Sequence, residues 1–375
     1  MELAGRVYDI VTRPENLFHD RIRDLVPKSA DFQHTYWRRV LRMAALCHDV
    51  GHLPFSHAAE HELLPAGTNH ETLSWRLIVE GELAKTFHDI KIQPIDVAKL
   101  AVGRRKSPAG VQFTEWEEIL SEIIVGNAFG VDRIDYLLRD AYHTGVAYGR
   151  FDHFRLLDTL RILPREDIGS KEAALGIMVG GIHTAEALLL ARYFMYSQLY
   201  FHPVRRIYDL HLRDFLKAWL PTGMFSTDLE AHLSVTDNEV TAAMLAATKH
   251  ANAAGHIHAR HIAEHHHFHL LYSRNPRDFK SNPAAAEAIY AAVTGKFGAE
   301  WFRIDRYSER NNPSIFPVYS GDGRVISSLE ESEVIGQVPA LKTEFIFVHP
   351  EKYEATKDWL EANRDSIITK QPKLL

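Results

Sequence analysis

Apolar residues recur at intervals of three and four along most of the first 220 positions. Two such stripes are Val40, Met43, Ala44 and Cys47, and Ile134, Leu137 and Leu138. Side chains at this spacing lie on one face of an α-helix, and that face is buried when helices pack together. The pattern therefore predicts a set of packed helices joined by short turns.

The end of the helix that contains Cys47 can be predicted from two residues that follow it. Gly51 and Pro54 end this helix, because proline cannot continue an interior hydrogen-bonded turn. His48 and Asp49 are therefore expected at a helix C-terminus, beside a tight connection.

The pattern of apolar residues changes after Pro221. Helical spacing continues to about residue 265, and four apolar and aromatic stretches typical of strands follow: HFHLLYS, WFRIDRYS, SIFPVYS and TEFIFVH. We therefore predict a mainly α-helical protein. Its helical part would cover residues 1–225, and a smaller helical and mixed α+β region would cover residues 226–375.

Glycine and proline mark the predicted loops and turns. The segments 103–110 and 163–170 are rich in residues that interrupt regular structure, so we expect loops there. Asp322 and Gly323 lie between two short apolar runs. They predict a hairpin, because glycine tolerates the positive φ angle that tight hairpin turns require.

Composition narrows the class of protein. The chain has 375 residues, of which 46% are hydrophobic, so it can bury a substantial core. Its longest apolar runs, such as Ala187–Ala191 and Phe345–Val348, are far shorter than the roughly 20 residues that span a bilayer. The N-terminus lacks the features of a secretory signal, so we expect a cytoplasmic protein. A net charge of -6 argues against general nucleic-acid binding.

The segment ALCHDVGHLPFSHAAEH contains the densest candidate chemistry. The chain has 23 histidines and one cysteine, Cys47, so a metal site would use nitrogen and oxygen ligands. His48 and Asp49 can direct one nitrogen and one oxygen at a divalent cation. The segment also contains His52, His57, Glu60 and His61. A single histidine is usually a hydrogen-bonded core or surface residue, but this density favours a metal site.

Three later segments contain groups that could complete such a site. His70 is one of these groups, whereas Glu71 beside it predicts only a helix start. In VDRIDYLLRD, acidic and basic residues surround an apolar stripe, which is also typical of a surface helix with ion pairs. A metal site needs a carboxylate from a distant segment, however, and Asp132 fits that role.

The third segment, LARYFMYSQLYFHPVRR, interleaves arginines and tyrosines. Arginine matches phosphate oxygens with its fork of donors, and tyrosine offers a flat ring to a sugar or base. An amphipathic helix with tyrosines packed on the core is the alternative. Together with a metal site, the segment favours phosphate recognition.

These motifs, in this order, resemble the HD-domain hydrolases, specifically the deoxynucleoside triphosphate triphosphohydrolase branch. The matching elements are HDVGHLPFSH, NHE, VDRIDYLLRD followed by HTGV, and ARYFMYSQLYFH, spread over residues 48–202. The resemblance implies an HD-domain helical bundle core with a smaller C-terminal α+β region. It also implies a divalent metal ion, which could be manganese, magnesium or iron.

The resemblance also implies roles for individual residues. The implied metal ligands are His48, Asp49 and Asp132. The implied catalytic residues are His52 and His70 beside the triphosphate, and Glu60, which would orient a histidine. The implied substrate-binding residues are Arg192 and Tyr200 at the phosphates, and Tyr136 and Asp140 at the deoxyribose. The tyrosine beneath the sugar would leave no space for a 2'-hydroxyl.

The reaction implied is attack of an activated water on the α-phosphorus of a deoxynucleoside triphosphate, which releases a deoxynucleoside and inorganic triphosphate. Two alternatives stay open: an HD phosphohydrolase that acts on another nucleotide or a phosphomonoester, and a metal-poor regulatory protein that binds nucleotides. The resemblance also implies a homo-oligomer, and members of the family often bind nucleotide effectors at their interfaces.

The family places a further metal-binding histidine before a helix like MELAGRVYDIV, and the sequence begins at Met1 without it. Either an upstream residue supplies it, or three protein ligands and waters hold the metal; His19 and His34 lack the expected context.

The histidines between His256 and His269 are expected on an exposed helix, with a transition-metal site as the less favoured alternative.

Overall fold

The computed structural model describes residues 1–56, 60–165, 168–170, 172–308 and 315–369. The earlier helices are α1 (Glu2–Val11), α2 (Asp20–Leu25), α3 (Phe32–Cys47), α4 (Glu60–Leu63), α5 (His70–Val79), α6 (Glu82–Asp89), α7 (Pro94–Val102), α8 (Glu115–Val125), α9 (Val131–Thr144), α10 (His153–Thr159), α11 (Ile182–Met195) and α12 (Pro203–Trp219). The later helices are α13 (Leu229–Leu233), α14 (Asp237–Ala247), α15 (His256–Ala263), α16 (Pro276–Ser281), α17 (Ala285–Phe297), α18 (Ser328–Glu331) and α19 (Tyr353–Thr369).

The strands are β1 (Leu160–Pro164), β2 (Ala173–Met178), β3 (His269–Ser273), β4 (Phe302–Ser308), β5 (Pro317–Tyr319), β6 (Val325–Ser327) and β7 (Lys342–Val348). Single 3₁₀ turns cover Pro14–Asn16, Val179–Gly181, Ala299–Trp301, Ile335–Gln337 and Pro350–Lys352, and a π-helical turn covers Tyr196–Tyr200. The described residues are therefore mainly helical with a smaller α+β region near the C-terminus, which confirms the predicted fold class.

The largest core is formed by helices from the first half of the chain. Helix α3 packs against α1 and α7, and α7 packs in turn against α5 and α8. Tyr8, Leu41 and Leu100 are fully buried there. Burying a side chain of this size stabilises the fold by about 1.5 to 3 kcal/mol. The apolar stripes of the sequence thus hold the ends of α3, α5 and α9 close together.

A four-stranded sheet interrupts the predicted run of helices. Its strand order is β1-β2-β5-β6, with β2 parallel to β5 and the other neighbours antiparallel. The helical prediction for the first 220 residues was therefore wrong at β1 and β2, and the predicted loop 163–170 overlaps the end of β1. Both strands are almost continuously buried, so they lack the alternation of apolar and polar residues that predicts a strand.

This sheet joins residues from both sides of the predicted domain boundary. Strand β2 pairs with β5 through Ile177 opposite Val318 and Met178 opposite Tyr319. The division into residues 1–225 and 226–375 stays a prediction. The predicted loop at 103–110 is confirmed.

The C-terminal region is built on a three-stranded antiparallel sheet of order β3-β7-β4. Helices α17 and α19 pack together beside it, and Ile289, Phe302 and Ile346 are buried in the core that they form with the sheet. The four stretches predicted as strands correspond to β3, β4, β5 and β7, and the hairpin predicted at Asp322 and Gly323 connects β5 to β6.

Within the described part of the chain, no helix combines the length and the apolar character that a bilayer span requires.

Candidate active site

The first group of candidate ligands lies at the end of α3. The helix ends at Cys47 and His48 is its C-cap residue, so His48 lies at the helix C-terminus as predicted. Nε2 of His48 lies 3.3 Å from Oδ2 of Asp49 and 3.2 Å from Oδ1 of Asp132, which stands in the first turn of α9. One donor atom from each of these residues lies within 4.8 Å of the other two. Together they could bind a single divalent cation.

The contacts of the His48 imidazole suit a cation. Nδ1 lies 3.2 Å from the carbonyl oxygen of Ala45, so a proton on Nδ1 would be donated to that oxygen. The lone pair of Nε2 would then face the two carboxylates, which requires a second proton or a cation. Burial opposes protonation, but the hydrogen bond to Asp132 and the charge of Asp49 outweigh it, so the pKa of His48 is raised. The donor set therefore fits a metal ion.

Gly51 determines how the loop after His48 packs. A Cβ added at this glycine would lie 2.3 Å from the backbone nitrogen of Ser74 and 2.4 Å from the carbonyl oxygen of His70. Glycine therefore lets the loop lie directly on the first turns of α5. The N–H of Gly51 donates to Oγ of Ser74 at 2.9 Å. This packing brings the loop that carries His52 against the start of α5, where His70 stands.

His52, His70 and Glu60 form a second group beside the first. The imidazoles of His52 and His70 are stacked, with centroids 4.0 Å apart and planes inclined by 17°. Glu60 is only 5% exposed, and its Oε1 accepts hydrogen bonds from the backbone N–H and from Nδ1 of His70, both at 2.7 Å. Nε2 of His52 lies 3.5 Å from Oδ1 of Asp49. Asp49 thus links the predicted catalytic residues to the predicted metal ligands.

Electrostatics favour the ionised form of Asp49. Burial raises the pKa of this carboxyl group, but the hydrogen bond from His52 and the charge of His48 outweigh burial and lower it. An ionised carboxylate is the form that binds a metal ion.

Two residues near His70 were not identified from the sequence as part of a site. Nε2 of His70 lies 3.6 Å from Oε1 of Glu71, and Nζ of Lys106 lies 3.0 Å from the same oxygen. Glu71 was interpreted only as part of a helix start. Lys106 belongs to the loop 103–110, and no local pattern indicates that this loop reaches the start of α5.

The predicted sugar-binding residues are also brought together. Tyr136 and Asp140 follow Asp132 at intervals of four along α9, so the three side chains share one face of that helix. The hydroxyl of Tyr200 donates to Oδ2 of Asp140 at 2.7 Å, and the ring centroids of Tyr136 and Tyr200 are 6.1 Å apart. Burial raises the pKa of both tyrosines, which keeps their hydroxyls neutral at neutral pH.

Arg192 lies beside this group and contacts a tyrosine that had no assigned role. Its Cζ is 5.4 Å from the ring centroid of Tyr196, and the hydroxyl of Tyr196 is 3.2 Å from that of Tyr136. Tyr196 begins the π-helical turn. The wider turn changes which tyrosines face α9, and π-helical turns of this kind often occur at functional sites. The periodicity of an ordinary helix could not predict this.

Other histidines considered from the sequence lie elsewhere. His34 is 3.1 Å from Oγ1 of Thr12, and the ring of His19 contacts that of Tyr319 at a centroid distance of 6.4 Å. The candidate His57 and the side chain of His61 lie outside the described part of the chain.

The expectation of an exposed histidine-rich helix between His256 and His269 was wrong in two respects. Helix α15 ends at Ala263, and His269 belongs to strand β3. His261 is buried, and its ring stacks on His211 of α12 with centroids 4.5 Å apart. Helix α15 packs against α12, which buries one side of α15.

Comparisons with known proteins show similarity to HD-type proteins over parts of the chain. A family model described as an HD-associated region matches residues 151–275. The uncharacterised protein YwfO of Bacillus subtilis is 34% identical over 213 residues, which cover 56% of this chain and 42% of that protein. Human deoxynucleoside triphosphate triphosphohydrolase SAMHD1 is 27% identical over 237 residues, which cover 53% of this chain and 36% of that protein. The chain thus spans less than half the length of these relatives.

Solved structures share the fold over nearly the whole chain. A hypothetical protein from Aquifex aeolicus has a TM-score of 0.72 at 27% identity, over 96% of this chain and 84% of that chain. A phosphohydrolase from Bacteroides thetaiotaomicron has a TM-score of 0.65 at 18% identity, over 92% of this chain and 84% of that chain. The matched HD-associated region makes part of this chain similar to HD-type proteins, and the fold is shared with a solved phosphohydrolase.

Proposed function

We propose that the protein is a metal-dependent phosphohydrolase that converts deoxynucleoside triphosphates to deoxynucleosides and inorganic triphosphate. One observation carries this proposal: the donor atoms of His48, Asp49 and Asp132 converge beside the Glu60–His70 pair. The human relative, named as a deoxynucleoside triphosphate triphosphohydrolase, supports the choice of substrate.

His48, Asp49 and Asp132 would hold the metal ion. Nitrogen and carboxylate ligands suit manganese, magnesium and iron, so the donor set is compatible with each. When bound, the ion would lower the pKa of a water ligand and neutralise charge on the phosphoryl oxygens.

The Glu60–His70 pair would handle the proton of the leaving group. Glu60 holds Nδ1 of His70 at 2.7 Å, which leaves Nε2 as the nitrogen that can exchange a proton with substrate. Attack of water on the α-phosphorus breaks its bond to the 5'-oxygen, and that oxygen needs a proton as it leaves. His70 would supply it, and the stacked His52 would contact the phosphates.

The face of α9 that carries Tyr136 and Asp140 would bind the deoxyribose. Asp140 would accept a hydrogen bond from the 3'-hydroxyl. Tyr200, which the resemblance placed at the phosphates, instead donates to Asp140 and would fix that carboxylate. Tyr136 would pack beneath the sugar and exclude a 2'-hydroxyl. Arg192 would contact the phosphates with its guanidinium group.

A substrate panel tests the proposal. The purified protein is incubated with each deoxynucleoside and ribonucleoside triphosphate in manganese or magnesium, and anion-exchange chromatography resolves the products. We expect a deoxynucleoside with intact triphosphate. Asp132→Asn should remove this activity. Asp135→Asn, on the same helix but in an ion pair with Arg139, is the matched control and should keep it.

The products also separate the alternatives. Release of monophosphate, or cleavage of phosphomonoesters instead of triphosphates, would replace the proposal with another HD phosphohydrolase activity. Nucleotide binding without turnover in either metal would replace it with a regulatory role.

A further inference from the structure

A buried ion pair connects α12 to the C-terminal sheet. Nε and Nη2 of Arg206 donate to the two carboxylate oxygens of Asp305 at 2.8 and 2.7 Å. Asp305 is 5% exposed and stands in the middle of β4. Nη1 of Arg206 lies 3.3 Å from Oδ2 of Asp209, one turn later on α12. The guanidinium is therefore held on two sides, in a geometry that fixes its orientation.

The same arginine contacts the segment that carries Tyr200. Cζ of Arg206 lies 5.1 Å from the ring centroid of Phe201, which follows the π-helical turn directly. The ring centroid of Phe201 also lies 4.2 Å from that of Tyr307. Tyr307 is two residues after Asp305, so both side chains project from one face of β4.

The end of the π-helical turn is closed by a neighbouring arginine. Nη1 of Arg205 donates to the carbonyl oxygen of Tyr200 at 2.5 Å, and it also lies 3.3 Å from Oδ2 of Asp209. The backbone at Tyr200 and the ring of Phe201 are thus attached to one network of charges, which ends on β4.

Stability alone is a weak reason for this arrangement. A buried ion pair often contributes no more stability than well-packed apolar side chains of similar volume, because the charges lose their hydration. A bidentate arginine–carboxylate contact does fix the relative orientation of the two side chains, however. It sets the rotation of the first turn of α12 relative to β4, and the π-helical turn is joined to α12 by only Phe201 and His202.

We infer that Asp305 and Arg206 are positioning residues for Tyr200, so that the C-terminal sheet sets the geometry of the sugar-binding face on α9. This inference rests on the proposed function for its kinetic consequence, although the structural link itself does not. The hydroxyl of Tyr200 can reach Asp140 only while the π-helical turn keeps its position relative to α9. The Asp305–Arg206 pair fixes that position through the contact of Arg206 with Phe201.

Hydrogen–deuterium exchange tests the link without any assumption about catalysis. We expect Asp305→Asn to speed amide exchange in residues 196–202, which are the π-helical turn and its connection to α12. Exchange in α9 should stay as slow as in the unmodified protein. The matched control is Glu344→Gln, which removes a carboxylate of the same sheet that pairs with Arg274 at 3.8 Å. Unchanged exchange at residues 196–202 in Asp305→Asn would overturn the inference.

Kinetics then test the consequence for the site. Asp305→Asn should raise KM for the deoxynucleotide about tenfold and change kcat by less than about twofold, because the metal ligands are untouched. If Asp305 only stabilised the fold, its substitution would lower the fraction of active protein. The apparent kcat would then fall while KM stayed unchanged. If Asp305→Asn does not fold, Arg206→Met combined with Asp305→Leu replaces the charges by apolar side chains and should give the same KM change.

Failure of the inference is distinguishable from failure of the proposed function. If the unmodified protein hydrolyses no nucleotide, the proposed function fails and the exchange experiment still decides the positioning role. If it hydrolyses nucleotides and KM is unaltered in both variants, the inference fails alone.

Discussion

Two regions of this molecule are rich in histidine, and their surroundings differ. In the candidate active site, His48, His52 and His70 each have a carboxylate oxygen within 3.5 Å. In the second region, the α12–α15 cluster of His211, His258 and His261, the imidazoles contact one another, with ring centroids 4.5 to 6.4 Å apart. Among the described residues, no carboxylate oxygen forms an ion pair with this cluster.

The difference changes the charge that an imidazole can carry. Burial opposes the protonation of His48, yet its carboxylate partners raise the pKa above the ordinary value. Burial and the neighbouring histidines lower the pKa of His211 to about 2, and burial also lowers those of His258 and His261. The acidic partners, rather than the number of histidines, therefore distinguish a site for chemistry from a packed core.

The largest effect is expected when a histidine is removed from the active site. His48→Gln should weaken manganese binding and lower hydrolysis by at least about 1,000-fold, because the metal provides several kcal/mol of charge stabilisation in the transition state. Isothermal titration with manganese and the product assay measure the two losses. Full activity with normal metal affinity would show that the ligand set has been assigned wrongly.

A smaller loss is expected from Glu60→Gln, which keeps the metal ligands. The amide cannot accept a charged hydrogen bond from Nδ1 of His70, so kcat should fall by about 100-fold, as for a displaced general acid. Manganese affinity should remain within about twofold. The control is Glu62→Gln, which lies on the same helix and pairs with Arg213 and Lys217. Equal losses in both variants would indicate damage to α4 rather than to catalysis.

In the α12–α15 cluster the expected effect is on stability and depends on pH. The pKa of His211 is lowered in the folded state, so the unfolded chain takes up a proton more readily. The stabilisation is complete above the ordinary histidine pKa of about 6.5 and is lost as pH falls below it. Each imidazole of this cluster that stays neutral in the folded state should lower the free energy of unfolding by about 1 kcal/mol at pH 5.5.

The matched substitutions are His211→Leu and His250→Leu. His211 is 1% exposed, whereas His250 is exposed in the turn after α14. Urea denaturation at pH 7.5 and 5.5 should show a smaller loss of stability on acidification in His211→Leu than in the unmodified protein. His250→Leu should retain the full loss. The same pH dependence in all three proteins would refute the assigned burial effect.

The sequence predicted the helical part of the fold because its signals are local. Stripes such as Val40, Ala44 and Cys47 lie within one helix and need no distant partner to be recognised. Strands β1 and β2 were missed because they are buried on both sides and contain residues such as alanine and leucine that also favour helices. The pairing of β2 with β5 connects residues more than a hundred positions apart.

The candidate site likewise combines residues that local motifs predict with contacts between distant segments that no motif predicts. His48 and Asp49 adjoin in the sequence, and the motif around Asp132 could be recognised at a distance from them. The contact of Lys106 with Glu71 and the pair formed by Arg206 and Asp305 connect segments without a shared motif, the latter across 99 positions. Only the packing of α12 against the C-terminal strands brings such residues together.

The smallest effect is expected when histidines are removed from the α12–α15 cluster and metal binding is measured. In the described part of the chain, the groups with converging donor atoms all lie in the candidate active site, and none includes His211, His258 or His261. His211 accepts a hydrogen bond on Nε2 from the N–H of Phe268 at 3.4 Å, and Nδ1 of His261 lies 2.7 Å from the carbonyl oxygen of His266.

Backbone contacts thus occupy one nitrogen of each of these two rings. His258→Gln combined with His261→Gln should therefore leave the manganese or zinc stoichiometry unchanged, and hydrolysis should stay within about twofold of the unmodified protein, since a site needs several oriented ligands. Loss of one bound zinc per chain in this variant, with hydrolysis intact, would show that the second cluster holds a metal of its own. The contrast between the two regions would then depend on which metal each binds, and not on the presence of carboxylates.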